Sequence, residues 1–337
     1  MILFDLMNNF PILKLTRPLE TGKPYGRGMS LVMLALILVL APGQAAATSI
    51  KVTWNPAQVQ HGSVVMMTVQ SPVRLMAAEA ATGLDRFPLL KIEDGTYAAL
   101  VGIDMRIKAP SIPVDFALFP AKGGAPYKIR ADLKIRKSGS DIKRVQKLSL
   151  PTEMVDFSPK QVDQVREDTR ILGEILAKRS RERFWGEGFL LPVNGRITTR
   201  FGTGRVLNGK LSSSHSGVDI AGKRGTQVLG ANSGKVMLAQ DFYLLGKTVV
   251  VDHGWGVSTI YAHLDRIDVG KGQDVKRGQV LGAVGATGRA TGPHLHFGAF
   301  IRGAKIDPLQ LVEVTRDFTT SSKIPQLKGA EESGGLE

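Results

Sequence analysis

Apolar and polar residues alternate in short runs through the first half of the chain: Ile50 to Trp54, Ser63 to Val69, Tyr97 to Val101, Val114 to Phe119 and Tyr127 to Ile135. Successive side chains of a strand point to opposite faces, so each run predicts a strand with one buried face. Turn residues between the runs predict a small β-sandwich. The period then changes. Ser158, Pro159 and Gln161 form an N-cap, a first-turn proline and a capping-box partner, and Val162, Val165, Ile171, Leu172, Ile175 and Leu176 follow at helical spacing. Lys178, Arg179, Arg181 and Arg183 are expected in the last turns, where cations favour the negative end of the helix dipole. From Phe189 to Leu311 glycine and β-branched residues predominate, which predicts a strongly turned antiparallel β domain. Residues 316–337, rich in Ser, Lys, Glu and Gly, read as a flexible tail.

The N-terminal region follows none of these periods. Leu31 to Ala41 is an unbroken apolar run of 11 residues, well short of the ~20 a membrane-spanning helix needs. Pro42 and Gly43 end it, Ala45, Ala46 and Ala47 supply a small-x-small pattern, and Lys23 and Arg27 lie upstream. This is the order of a signal peptide cleaved after Ala47, with an uncleaved anchor as the alternative reading and Met7 or Met29 as alternative starts. The expected segments are a signal peptide (1–47), a β-sandwich accessory domain (48–155), a connecting helix and linker (156–188), a catalytic-type β domain (189–315) and the tail (316–337). Export to the periplasm or cell envelope is favoured, with secretion also open.

Composition narrows the partners. The 337 residues carry a formal charge of +14, which draws a protein toward polyanions such as an anionic cell wall. Aromatic residues are only 6% and no basic run is interleaved with them, so nucleic acid is not an expected partner. Membrane contact is expected only through an N-terminal segment left uncleaved. The chain has no cysteine, so it has neither disulfides nor thiolate ligands, and any metal must be held by His and carboxylates.

Five of the six histidines lie between positions 215 and 296. His215 and Asp219 are four apart. Fully extended, their Cα atoms would be about 13 Å apart, too far to share an ion, so the segment must bend, and Gly217 is the expected place. In Gly292-Pro-His-Leu-His-Phe-Gly298, alternation puts His294 and His296 on one face and Leu295 and Phe297 in the core. The run from Val257 to His263 predicts a third strand with Val257, Thr259, Tyr261 and His263 on one face. His253 is expected in the hairpin turn leading into it, and His61, beside Gly62, on the surface. His215, Asp219 and one histidine of the pair make the three-ligand, one-open-position set of catalytic zinc. Parity alone does not choose between His294 and His296. Neither a His-Glu-x-x-His helix nor a Gly-x-Ser-x-Gly elbow is present.

These residues resemble the lysostaphin and LytM type of zinc metallopeptidase over roughly residues 189–312. The likeness is carried by His215-x-x-x-Asp219 followed by Ile220-Ala221, by Tyr261-Ala-His-Leu264, by Gly292-Pro-His-Leu-His296 and by Thr199-Arg-Phe-Gly202. The resemblance implies His215, Asp219 and His296 as ligands of one Zn2+ per chain, and His263 and His294 as catalytic histidines. It also implies an endopeptidase acting on peptidoglycan stem peptides or cross-links. The expected architecture is mainly β: a small Ig-like sandwich, a connecting helix and an antiparallel β-sheet peptidase domain of the duplicated hybrid motif type. The competing reading is a non-catalytic wall-binding module that activates another hydrolase. Oligomeric state is not legible.

Overall fold

The computed structural model describes residues 35–39 and 48–318 apart from 57, 84, 137–144, 150–151, 153–154, 179 and 181. The first half contributes β1 (Ala35–Val39), β2 (Thr48–Asn55), β3 (Val64–Gln70), β4 (Leu75–Thr82), β5 (Asp85–Pro88), β6 (Leu90–Glu93), β7 (Thr96–Gly102), β8 (Ser111–Pro120), β9 (Tyr127–Lys134) and β10 (Val145–Leu148). One antiparallel sheet has the order β1-β2-β3-β7-β6 and a second the order β5-β4-β8-β9. Alternation decides what they bury: along β8 and β9, Ile112, Val114, Phe116, Leu118, Ile129 and Leu133 are buried while Arg130 and Lys134 are exposed. Of the expected signal peptide only β1 is described, as an edge strand paired with β2; its other residues lie outside the described ones.

Helix α1 (Pro159–Ala177) begins as its sequence predicts, with the reciprocal Ser158–Gln161 capping box and Pro159 in the first turn. Its end does not. Lys178 is already extended and the last turn holds no basic residue; Lys178 and Arg183 follow the helix instead. Arg179 and Arg181 lie outside the described residues. Arg183, six residues beyond the helix, is buried over the rings of Trp185, Trp255 and Phe318. The stripe Ile171, Leu172, Ile175 and Leu176 packs on Leu238, Phe242, Ile260, Ala262 and Phe300.

The second half holds β11 (Ile197–Thr199), β12 (Gly204–Leu207), β13 (Lys210–Ser214), β14 (Gly217–Ala221), β15 (Gln227–Leu229), β16 (Gly234–Phe242), β17 (Gly246–Gly254), β18 (Val257–Ile267), β19 (Asp274–Val275), β20 (Val280–Val284), β21 (His294–Ile301), β22 (Ala304–Ile306) and helix α2 (Pro308–Val314). The central order is β11-β14-β21-β18-β17-β16-β19, all antiparallel, with β15, β20 and β22 attached at its sides. β10 pairs in parallel with β12, and β12 and β13 form a hairpin, so the stretch after the first two sheets is tied to the second half.

The two halves also meet directly. Gly102 abuts Ile301, Ala304 and Ile306, the Asp307 N–H donates to Gly62 O (2.8 Å), and the Lys305 N–H donates to Asp104 Oδ2 (3.0 Å). His61, expected on the surface, is half-buried at this seam, where Phe201 packs against Gly62. Residues 316–318, expected in the flexible tail, are among the described ones. Phe318 stacks on Trp185 at 5.1 Å between centroids, and residues 319–337 lie outside the described ones.

Candidate metal centre

Three adjacent strands assemble the site. β14 and β21 pair so that Asp219 lies directly opposite His296, and β21 and β18 pair so that His296 lies opposite Ala262. Directly opposed residues share a face, which puts Asp219, His294, His296 and Ala262 on one side, with Val218, Leu295, Phe297 and Tyr261 in the core. His215 precedes β14, and the chain bends at Ser216, bringing His215 Nε2 to 2.9 Å from Asp219 Oδ1. Gly217 serves differently from its predicted role. Its φ is not positive; rather, a Cβ there would meet Phe297 O at 2.4 Å and the His296 ring at 2.9 Å. Glycine provides room for the imidazole, not the turn.

His263 reaches the site by breaking the expected alternation. Strict parity puts it with Tyr261 on the core side, away from His296. In the structure Lys247 opposes Leu264 and Val249 opposes Tyr261, so Ala262 and His263 face a single residue of β17 across a bulge. His263 has φ 61°, its N–H donates to Leu245 O (2.8 Å), and its ring turns over to lie 4.9 Å from that of His294. The shared face with Tyr261 is therefore incorrect: the left-handed backbone at His263 re-aims it.

The donor atoms converge tightly. His215 Nε2, His296 Nδ1 and Asp219 Oδ1 lie 2.9–3.0 Å apart, and His294 Nε2 is 3.8 Å from Asp219 Oδ1. Three ligands on ~2.0–2.1 Å bonds in tetrahedral geometry are about 3.3 Å apart, so the set is spaced for one small cation. Lone pairs are aimed inward. A carbonyl only accepts, so His215 Nδ1 donates to Arg200 O (3.2 Å), His263 Nδ1 to Thr287 O (2.8 Å) and His294 Nδ1 to Gly292 O (2.8 Å), which leaves each Nε2 bare in the neutral ring. Among the described residues, His215, Asp219 and His296 are the group able to hold a metal ion.

The charge states suit this. Burial pushes His215 down to about 4, against the opposing attraction of the Asp219 carboxylate. Burial, reinforced by His296 and His294, pushes His263 down to about 3. Burial opposes the Asp219 charge, but its contacts with His215 and His296 outweigh it and hold the carboxyl far below the usual carboxylate range. Near neutral pH, His215 and His263 are thus neutral and Asp219 is ionised, the states a cation requires.

Two arginines that the sequence reading did not single out border the same cavity. Arg205 of β12 donates to Asp219 Oδ2 (2.6 Å), leaving Oδ1 for the ring nitrogens. Arg289, in the loop before β21, lines the cavity with Arg205, Asp219, His263 and His294. Their only sequence signal is proximity to the histidine motifs. We expect Arg205→Ala to weaken metal affinity about 10- to 100-fold, the usual cost of losing a partner that orients a ligand. Chelator competition on the folded variant measures it, and unchanged affinity would show that Asp219 does not depend on Arg205.

His253 is not a turn residue. It sits fully buried on β17, the two-residue turn being Trp255–Gly256 with φ 55° and 76°. Its Nδ1 donates to Ser233 O (2.9 Å), and Nε2 bonds Thr259 Oγ1 (2.7 Å), which bonds Tyr261 Oη (2.9 Å). Burial lowers its pKa from 6.5 to about 4. The unfolded chain therefore binds more protons between these values, so stability is full above pH 6.5 and falls as pH drops toward 4. The expected loss is about 3 kcal/mol from this residue. Urea unfolding of the wild type and His253→Asn at pH 7 and pH 4 measures it; an equal pH dependence in both would refute the assignment.

A His-Asp-His donor set flanked by two further imidazoles on an antiparallel sheet is chemically the arrangement of a metal-dependent hydrolase. Residues 213–308 match Peptidase family M23, and the chain contains a domain of that metallopeptidase family. It is 38% identical over 122 residues to peptidoglycan DD-endopeptidase ShyB of Vibrio cholerae, covering 36% of this chain and 27% of that protein. It is 38% identical over 109 residues to DD-carboxypeptidase/endopeptidase Mpg of Neisseria meningitidis, covering 32% of this chain and 25% of that protein. The match thus spans about a quarter of each of these curated relatives. A Pseudomonas aeruginosa crystal structure assigned to peptidase M23 aligns with a TM-score of 0.56 at 28% identity, covering 76% of this chain and 96% of that one.

Proposed function

We propose that this protein is a zinc-dependent endopeptidase that hydrolyses peptide bonds in peptidoglycan stem peptides or cross-links. The observation that carries this reading is the triangle of His215 Nε2, His296 Nδ1 and Asp219 Oδ1, with two more imidazoles on its open side. His215, Asp219 and His296 hold the zinc, which when bound supplies Lewis acidity to the attacking water and the scissile carbonyl. His294, whose side chain is 16% exposed against 6% for Asp219, faces the open side. With its Nδ1–H held by Gly292 O, its bare Nε2 accepts a proton from the attacking water. His263, oriented by Thr287 O, shares that duty and, once protonated, donates to the developing oxyanion or leaving amine.

The relatives named as DD-endopeptidases support the substrate class, and the charge of +14 suits an anionic wall. The apolar run Leu31 to Ala41 supports export by a signal peptide ending at Ala47, toward the periplasm or cell envelope. Residues 48–155 act as an accessory domain, 156–188 as the connection and 189–315 as the peptidase domain. Incubating the zinc-loaded full chain with isolated walls and identifying the new amine by mass spectrometry tests the reading. Zinc binding without any new amine would favour a module that recruits another hydrolase.

A further inference from the structure

The cavity beside the metal centre is lined by Gln146 and Leu148 of β10, by Arg205, Leu207 and Asp219, and by Arg289 through His294. Asp219 is the one acidic side chain in that lining, and its Oδ2 is already taken by Arg205. Arg289 forms no ion pair among the described residues, although it is half-buried and faces the charge of Arg205. Burial and that neighbouring cation hold its pKa down to about 10, so it remains charged near neutral pH. With a dication held by the donor triangle, two guanidiniums and one carboxylate would bring the formal charge around this cavity to +3. Such an excess is unfavourable until an anion enters.

The backbone of the loop carrying Arg289 is closely held. Gly288 and Gly246, with φ 68° and 62°, press together so closely that a Cβ on Gly288 would meet Gly246 N at 2.3 Å. The Arg289 N–H then donates to Leu244 O (2.9 Å), and the Lys247 N–H donates to Thr287 Oγ1 (2.9 Å). The same loop supplies Thr287 O to His263 and Gly292 O to His294, so the arginine and both imidazoles share one support. A guanidinium is a planar fork whose paired N–H donors match a carboxylate.

We infer that Arg289, backed by Arg205, forms a carboxylate subsite, so that the preferred substrate is a peptide bearing a free carboxylate next to the scissile bond. This rests on the peptidase reading for the bond cut, but not for the binding it predicts. The test uses the zinc-loaded full chain with two synthetic stem-type peptides that differ only in a carboxylate or a carboxamide at that position. Binding is measured by calorimetry and cleavage by kcat/KM, for wild type, Arg289→Gln and Arg289→Lys, with zinc content and Tm as checks of folding. The wild type should favour the carboxylate by about 10- to 100-fold in both readouts, Arg289→Gln should abolish the preference, chiefly through KM, and Arg289→Lys should keep part of it. No preference in the wild type, or a preference that survives Arg289→Gln, overturns the inference. Cleavage of both peptides at equal rates overturns it while leaving the peptidase reading standing. Arg289-dependent binding without cleavage supports the subsite and counts against the peptidase reading.

Discussion

The full chain carrying His294→Ala is expected to keep one zinc and to cleave peptide about 10²- to 10⁴-fold more slowly, the range for losing a positioned acid–base group. His263→Ala should behave similarly. Alanine at His215, Asp219 or His296 should instead abolish zinc binding and activity together, because each removes a corner of the donor triangle spaced at 2.9–3.0 Å. Measuring zinc by mass spectrometry beside kcat/KM separates the two groups. If His294→Ala lost its zinc, or His296→Ala kept both zinc and full activity, the division of roles would be wrong. The histidines cannot exchange roles freely, since His296 presents Nδ1 to Asp219 whereas His294 is tethered through its own Nδ1 to Gly292 O.

Trp185→Ala is expected to destabilise the protein by about 3–5 kcal/mol, as for large aromatic truncations in a core. Trp185 is 1% exposed and lies 5.1 Å from Phe189, 5.6 Å from Trp255 and 5.1 Å from Phe318, centroid to centroid. It anchors the strap after α1 to the β17–β18 hairpin. The Trp255 N–H donates to Glu182 O (2.8 Å) and the Phe184 N–H to His253 O (3.0 Å). Gly254 makes that approach possible, since a Cβ there would stand 1.9 Å from Glu182 O. Trp185→Phe should cost clearly less, because it keeps a ring in the stack and the indole N–H has no hydrogen-bond partner among the described residues. Urea midpoints compare the variants, and equal costs for Phe and Ala would show that the stack contributes little.

Local sequence determined a good deal of this protein. Five predicted strands correspond to β2, β3, β7, β8 and β9, and Ser158, Pro159 and Gln161 start α1 where expected, because alternation and capping depend on residues within a few positions of one another. The β4 segment, Leu-Met-Ala-Ala-Glu-Ala-Ala-Thr, escaped that reading: alanine and glutamate favour helix, and only pairing with β8 makes it a strand. The donor chemistry was legible for the same local reason, since the absence of cysteine leaves His and carboxylate, and His294 and His296 share a face by parity.

What tertiary structure decided is where long-range pairing overrides parity. A bulge against β17 turns His263 out of the core face and toward His294. Burial between Phe189 and Thr259 makes His253 part of the interior. The pairing of β12 with β13 and the docking of Gly288 on Gly246 bring Arg205 and Arg289, 84 positions apart, to one cavity beside Asp219. Strand period and cap chemistry act over a few residues and can be read in one dimension. The direction of a side chain at a bulge, and the charge it meets across a sheet, depend on backbone contacts between segments distant in the chain.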